Sequence, residues 1–298
     1  MRKHPVLFGM LLLIVLSLVF YIFFYGIGAR AGKSKTFSLN DKIGVVSVKG
    51  VITDSREITE QLDDFGKDDS VVAVVLRIDT PGGGVAASQE IYDAVVELKK
   101  QKKVVASMGS VAASGGLLIA CSADKIVANP GTITGSISAI MQFANVEELL
   151  KKVGLKASTV KSGKYKDIGS PLREMTPEER KIIQDLVDDI YNQFVDVIVR
   201  DRKISREKVI SIADGRVFSG RQAKEYGLVD HLGDLGTAAK LASRLAGKDG
   251  KYELLYPRKK HGSVFDYVLE SAANQFSRSL REKVENWGGV GYLYDPSL

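Results

Sequence analysis

At 298 residues the chain is long enough for one large domain or two small ones with a sizeable core. Its 45% hydrophobic and 26% charged content excludes a disordered polymer, and its single cysteine, Cys121, excludes an internal disulfide framework or a cysteine-based metal cluster. The net charge of +6 is not gathered into an arginine-rich face and no nucleic-acid reader motif accompanies it, so no nucleic-acid partner is expected.

Arg2-Lys3-His4 precedes an apolar run over 6–27, interrupted by Gly9, Ser17 and Gly26. That length suits one membrane span, at roughly 20 residues per crossing, and Tyr21, Phe23, Phe24 and Tyr25 would form an interfacial belt. A cleaved signal peptide is the rival reading, with Ala29-Arg30-Ala31 as its cleavage-like site. Its apolar region, however, would normally run only about 7–15 residues. An uncleaved anchor is therefore expected over 1–28, then a linker over 29–41. Arg30, Lys33 and Lys35 lie on the far side, so charge counting hardly orients it.

The next elements alternate. A strand is expected over 43–48, a helix over 58–65, and a strand over 71–78 whose near-continuous apolar character suits a parallel strand covered on both faces. Pro81-Gly82-Gly83-Gly84 follows, then a helix over 86–100 with Ile91, Val95 and Leu98 on one face. A short strand over 104–106 leads into Met108-Gly109-Ser110-Val111-Ala112-Ala113-Ser114-Gly115-Gly116, a small-residue corner opening the apolar helical run 117–121. Cys121 in that run reads as a buried structural thiol. Strands are expected at 125–128 and, after Thr134-Gly135-Ser136, over 137–143, with Asn145 capping a helix through 152. Thr176-Pro177-Glu178-Glu179 joins a Thr cap, a first-position proline and a third-position glutamate. The helix it opens runs to about 202, with Ile182, Ile183, Leu186, Ile190, Phe194, Val197 and Ile198 as its apolar stripe. Ser205 starts a shorter helix, and 217–223 another ending at Gly227. The alternation predicts one α/β domain with a largely parallel sheet over 42–257. The segment 258–298 is weakly patterned, with an amphipathic stretch at 264–284.

Three features bear on chemistry. The Gly82-Gly83-Gly84 run at a strand's carboxyl end is a tight turn, a phosphate cradle or an oxyanion hole; it lacks the Lys-Ser/Thr of a P-loop and the spacing of a dinucleotide fingerprint. Ser114 is a helix cap or a nucleophile. A nucleophile needs a base, and His4, His231 and His261, the chain's 3 histidines, lack the setting of a triad member. Lysines 151, 152, 156, 161, 164 and 166 sit in a stretch without acidic residues, which reads first as a solvated basic face. Lysine is neutral only about 0.04% of the time at pH 7, unless burial or neighbouring positive charge lowers its pKa. Lys166 differs in lying within the Gly/Ser/Pro-rich loop Ser162-Gly163-Lys164-Tyr165-Lys166-Asp167-Ile168-Gly169-Ser170-Pro171, although the adjacent Asp167 would favour its charged form.

Together, the Pro81–Gly84 run, Ser107 to Gly116, Thr134-Gly135-Ser136, the loop from Ser162 to Pro171, Arg173-Glu174-Met175-Thr176 and Gly215-Arg216-Val217-Phe218 resemble, in order, the short form of the signal peptide peptidase A family. These are membrane-anchored bacterial serine–lysine proteases of the Clp protease/crotonase-like fold. The resemblance spans roughly 42–245. It implies Ser114 as nucleophile, Lys166 as general base, Ser136 holding the lysine amine, and the backbone N–H groups of Gly83 and Gly115 as oxyanion donors. It also implies no metal or other cofactor, and a homo-oligomeric ring or dome in which neighbouring protomers contribute the serine and the lysine. Expected substrates are remnant signal peptides and other unfolded hydrophobic segments, cleaved by an extracytoplasmic domain on a single-pass anchor in the bacterial cytoplasmic membrane. Rival readings are a related protease trimming membrane-associated partner proteins, a crotonase-type acyl-CoA enzyme, and an inactive anchored scaffold.

Overall fold

The computed structural model describes residues 13–19, 41–248 and 251–257. Residues 13–19 are helical, and among the described residues no helix is long and apolar enough to cross a membrane. The rest of the expected anchor, nearly all of the linker and the 264–284 stretch lie outside the described residues. Backbone contacts divide the chain into two units, Met1–Leu255 and Tyr256–Leu298.

The first unit alternates strand and helix: β1 (Asp41–Lys49), α1 (Arg56–Lys67), β2 (Val71–Thr80), α2 (Val85–Leu98), β3 (Lys103–Ala113), α3 (Gly115–Cys121), β4 (Lys125–Ala128) and β5 (Ile133–Gly135). There follow α4 (Glu147–Lys152), α5 (Pro177–Arg202), α6 (Arg206–Ile210), β6 (Val217–Ser219), α7 (Gly220–Glu225), β7 (His231–Leu232), α8 (Leu235–Leu245) and β8 (Tyr252–Leu255). The strands form one eight-stranded sheet in the order β6-β5-β3-β2-β1-β8, with β4 pairing β3 and β7. All pairings are parallel except β5 with β6.

Both faces of the sheet are covered, which explains the continuous apolar strands. Val74, Leu76 and Ile78 of β2 and Val104, Ala106 and Met108 of β3 join Leu117 and Ile119 of α3 and Ile198 of α5 in one core. Ala73, Val75 and Val105, one step out of phase, pack with Ala238, Ala239 and Ala242 of α8 in another. The helix starts follow the capping signals. Thr176 accepts the Glu179 N–H and Glu179 accepts the Thr176 N–H, with Pro177 in the first turn, and Ser205 accepts the Lys208 N–H. Asn145 accepts the Glu147 N–H at 2.9 Å, one residue before the helix's own N-cap, Val146.

Two expectations are corrected. Most of the small-residue corner is strand: β3 continues to Ala113, three residues before the corner's end. It does so through a bulge, the register against β2 jumping from Ile78↔Met108 to Thr80↔Ala112. There the Asp79 carboxylate accepts the Val111 N–H and the Thr132 hydroxyl donates to the Gly109 carbonyl. A Cβ on Gly109 would lie 2.6 Å from Asp79 Cγ, so glycine is what lets the strand bend. The strand expected over 137–143 does not form; the strand is the preceding β5. Both edges of β5 are occupied, by β3 and β6, so the apolar run after it finds no ladder in this chain.

Candidate active site

The carboxyl ends of three adjacent parallel strands converge. β2 ends in the Pro81–Gly84 loop, β3 in Ser114 and β5 in Ser136, and in open α/β sheets ligands bind at such strand ends. Ser114 has φ 53° and ψ −118°, a conformation disfavoured for any residue with a Cβ. Its N–H donates to the Gly135 carbonyl at 2.9 Å and its carbonyl accepts from Leu118 at 3.0 Å, so the turn is gripped from both sides. Although Ser114 stands at the N-cap of α3, its side chain makes no cap hydrogen bond. The half-buried hydroxyl is left to other uses.

Gly82, at φ +108°, packs directly on this turn: a Cβ there would lie 2.9 Å from both Ser114 Cβ and the Gly115 nitrogen. Buried Thr80 fixes the loop by accepting the Gly82 N–H at 3.0 Å. Ile52 then bridges it, donating to the Gly82 carbonyl at 2.9 Å and accepting from the Gly84 N–H at 2.8 Å. Because the Gly82–Gly83 peptide is trans, the Gly83 N–H points opposite to the Gly82 carbonyl and away from Ile52. The Gly115 N–H is the first of α3 and has no partner within its helix. Two backbone donors thus flank the serine corner, the requirement for stabilising an oxyanion.

Ser136, also half-buried, is the second non-glycine residue held at positive φ, 50°, and its N–H donates to the Arg216 carbonyl at 2.8 Å. The structure therefore brings Ser114, Ser136, Gly83 and Gly115 to one end of the sheet. Lys166 makes no hydrogen bond to any of them. Lys166 is exposed on the turn between Lys161 and Pro171, its N–H donates to the Gly163 carbonyl at 3.2 Å, and its amine has no hydrogen bond or ion pair among the described residues. Cavities of about 470 Å³ and 310 Å³ lie instead between the 139–145 segment and the start of α5, with Phe143, Met175 and Arg180 lining both; neither reaches Ser114 or Lys166. Burial pushes the Cys121 thiol up to about 12, as suits an inert structural cysteine.

Sequence reasoning missed the supports. Thr80 lay one residue before a motif already singled out. Arg173 lay inside a matched segment, but its partners, Asp167 and Glu179, could not be paired with it from spacing alone.

A serine in a strained turn at the carboxyl end of an interior strand, with backbone N–H groups beside it, is an arrangement suited to acyl transfer. The model of peptidase family S49 matches residues 96–249, and that of Clp protease matches 34–134. A provisionally named protease of Synechocystis sp. is 46% identical over 213 residues, 71% of this chain and 77% of its own. A provisionally named signal peptide peptidase SppA of Enterococcus faecium is 38% identical over 208 residues, 65% and 60% of the two chains. Protease 4 of Salmonella typhi is 34% identical over 253 residues, 82% of this chain but 40% of its own. The chain belongs to peptidase family S49 and is a serine peptidase with a Clp protease-like α/β fold. The acyl-CoA reading is thereby set aside.

Proposed function

We propose that the chain is a membrane-anchored endopeptidase that degrades remnant signal peptides and other unfolded hydrophobic segments, with Ser114 as nucleophile and Lys166 as general base. The observation that carries the reading is Ser114 itself: a strained, uncapped serine beside the N–H groups of Gly83 and Gly115. Lys166 takes the hydroxyl proton, and Ser114 Oγ attacks the scissile carbonyl. The oxyanion is held by the Gly83 and Gly115 N–H groups, and the leaving amine receives its proton from Lys166. Water, activated by the same amine, then hydrolyses the acyl-enzyme. Ser136 holds the lysine amine during both steps. No metal or other cofactor takes part.

Lys166 is exposed and makes no hydrogen bond to Ser114, which supports a dyad completed between neighbouring copies of a homo-oligomer. The apolar run over 6–27 supports the anchor, which would place the catalytic domain outside the cytoplasmic membrane of a bacterial cell. The test is labelling of the full chain by a fluorophosphonate, alongside cleavage of a signal-peptide substrate. Wild type is expected to label and cleave, Ser114→Ala to do neither, and Lys166→Ala to lose cleavage. Equal labelling of wild type and Ser114→Ala removes the nucleophile assignment, and full cleavage by Lys166→Ala removes the base.

A further inference from the structure

The turn that carries Lys166 is tied to the first turn of α5 by a set of ion pairs centred on Arg173. The Arg173 guanidinium donates through Nε to Asp167 Oδ2 at 2.9 Å and through Nη2 to Oδ1 at 2.8 Å. Its other edge reaches Glu179, Nη1 to Oε2 at 2.8 Å and Nη2 to Oε1 at 2.5 Å. Glu179 is only 3% exposed and also closes the capping box of α5, so this end of the clamp is fixed to the helix. Asp167 is faced from its own loop by Lys161 as well as Arg173. From α5 two carboxylates reach the loop: Glu179, held by Arg173, and Glu178, held by Lys164 and Tyr165. Of the cations between residues 161 and 173, Lys161, Lys164 and Arg173 are each paired with a carboxylate, and Lys166 alone has no partner among the described residues.

Asp167 is the nearest carboxylate to Lys166 in sequence. Left free, it would favour the ammonium form of that lysine, and an ammonium cannot accept the serine proton. Both Asp167 oxygens are instead occupied by Arg173, in the two-pronged geometry that suits guanidinium to carboxylate. We propose that Arg173 is a positioning residue for Lys166: by binding both oxygens of Asp167 and fastening it to Glu179, it withholds that carboxylate from the lysine and fixes the turn from which the lysine projects. Consistent with this, Arg173 and Lys161 hold the Asp167 carboxyl well below the usual carboxylate range. Arg173 and the Thr176 N–H hold Glu179 down to about 2. The proposal rests on the reading of Lys166 as the general base.

The experiment is the pH profile of kcat/KM for a signal-peptide substrate, measured on the full chain. Arg173→Ala is expected to move the acid limb to higher pH by about one unit, roughly a tenfold loss on that limb, with activity recovering above it. The double variant Arg173→Ala/Asp167→Asn is expected to return the limb to its wild-type position, which loss of a merely structural contact would not do. Arg173→Lys keeps a cation but lacks the planar fork that holds both Asp167 oxygens at once, so it moves the limb the same way and replaces the alanine variant should that one fail to fold. A limb that stays at its wild-type pH in the folded variant, or remains displaced in the double variant, overturns the proposal. Lys166→Ala, run in parallel, separates the two readings: full activity there defeats the base assignment, whereas its loss together with an unmoved Arg173 limb defeats only the clamp.

Discussion

Ser114 sits where a residue with a side chain is held at a cost of roughly 1–3 kcal/mol, and the surroundings enforce it. The Gly135 carbonyl grips its N–H and Gly82 lies against its Cβ. A methyl group at Gly82 would meet Ser114 Cβ and the Gly115 nitrogen at 2.9 Å, at a φ of +108° that alanine already resists. The Gly82→Ala variant is therefore expected to displace Ser114 relative to the Gly83 and Gly115 N–H groups, the nucleophile and oxyanion donors of the proposed function. It should lower kcat by about a hundredfold, the scale of losing one such donor, while KM and the far-UV circular dichroism change little. Wild-type kcat in a folded Gly82→Ala chain would show that the close packing does not position the serine. The glycines were legible in the sequence because no other residue fits where a backbone must approach this closely. The strain at Ser114 was not, because serine is compatible with many local conformations and its φ depends on what grips the turn.

Elements were legible where their signals are local. The capping box of α5 and the apolar β2 are written into neighbouring residues, and each formed as its pattern dictates. The bend of β3 and the absence of a strand over 137–143 depend on which edges remain open, a property of the assembled sheet. The junction of α5 with the sheet shows the same dependence on distant partners. Arg202, at the end of α5 with its side chain 8% exposed, pairs with Asp230 at 2.9 Å, and Asp230 also accepts the Ile126 N–H of β4 at 2.8 Å. Burial alone would raise the Asp230 carboxyl, but Arg202, the Ile126 N–H and Lys125 together hold it below the usual aspartate value. Asp230→Ala leaves the Arg202 charge buried without its carboxylate and is expected to cost about 3 kcal/mol, read as a lower midpoint in denaturant. A carboxyl lowered in the folded state stabilises above its unfolded value of about 3.9 and ceases to do so as pH falls through the lower one. The gap between wild type and variant should thus be full at neutral pH and narrow only below about pH 4. A gap that is absent at neutral pH, or unchanged at the acid end, would show that the ion pair contributes nothing there.

At the scale of the whole molecule, the exposed Lys166 coincides with unusual apolar exposure on neighbouring segments. Ile140 is 77% exposed and Val160 99%, and Phe143, Leu155, Ile182 and Leu186 are also exposed, all on the segment after Ser136 or the first half of α5. Monomeric surfaces rarely leave so much apolar area on one stretch of chain, which favours burial against a second copy. In a closed ring the contact is heterologous: each chain presents one surface to the next and a different one to the previous. A site with serine from one copy and lysine from its neighbour has a quantitative signature. When Ser114→Ala and Lys166→Ala chains are co-expressed in equal amounts and assemble at random, a site is intact only where a Lys166→Ala chain supplies the serine and a Ser114→Ala neighbour the lysine. That happens at about one site in four, so mixed assemblies should regain about a quarter of wild-type activity although each variant alone is inactive. A dyad formed within one chain gives no such recovery, because every chain in the mixture lacks one of its two members. Peptidase activity of the purified mixture, compared with each variant alone, decides between the two arrangements.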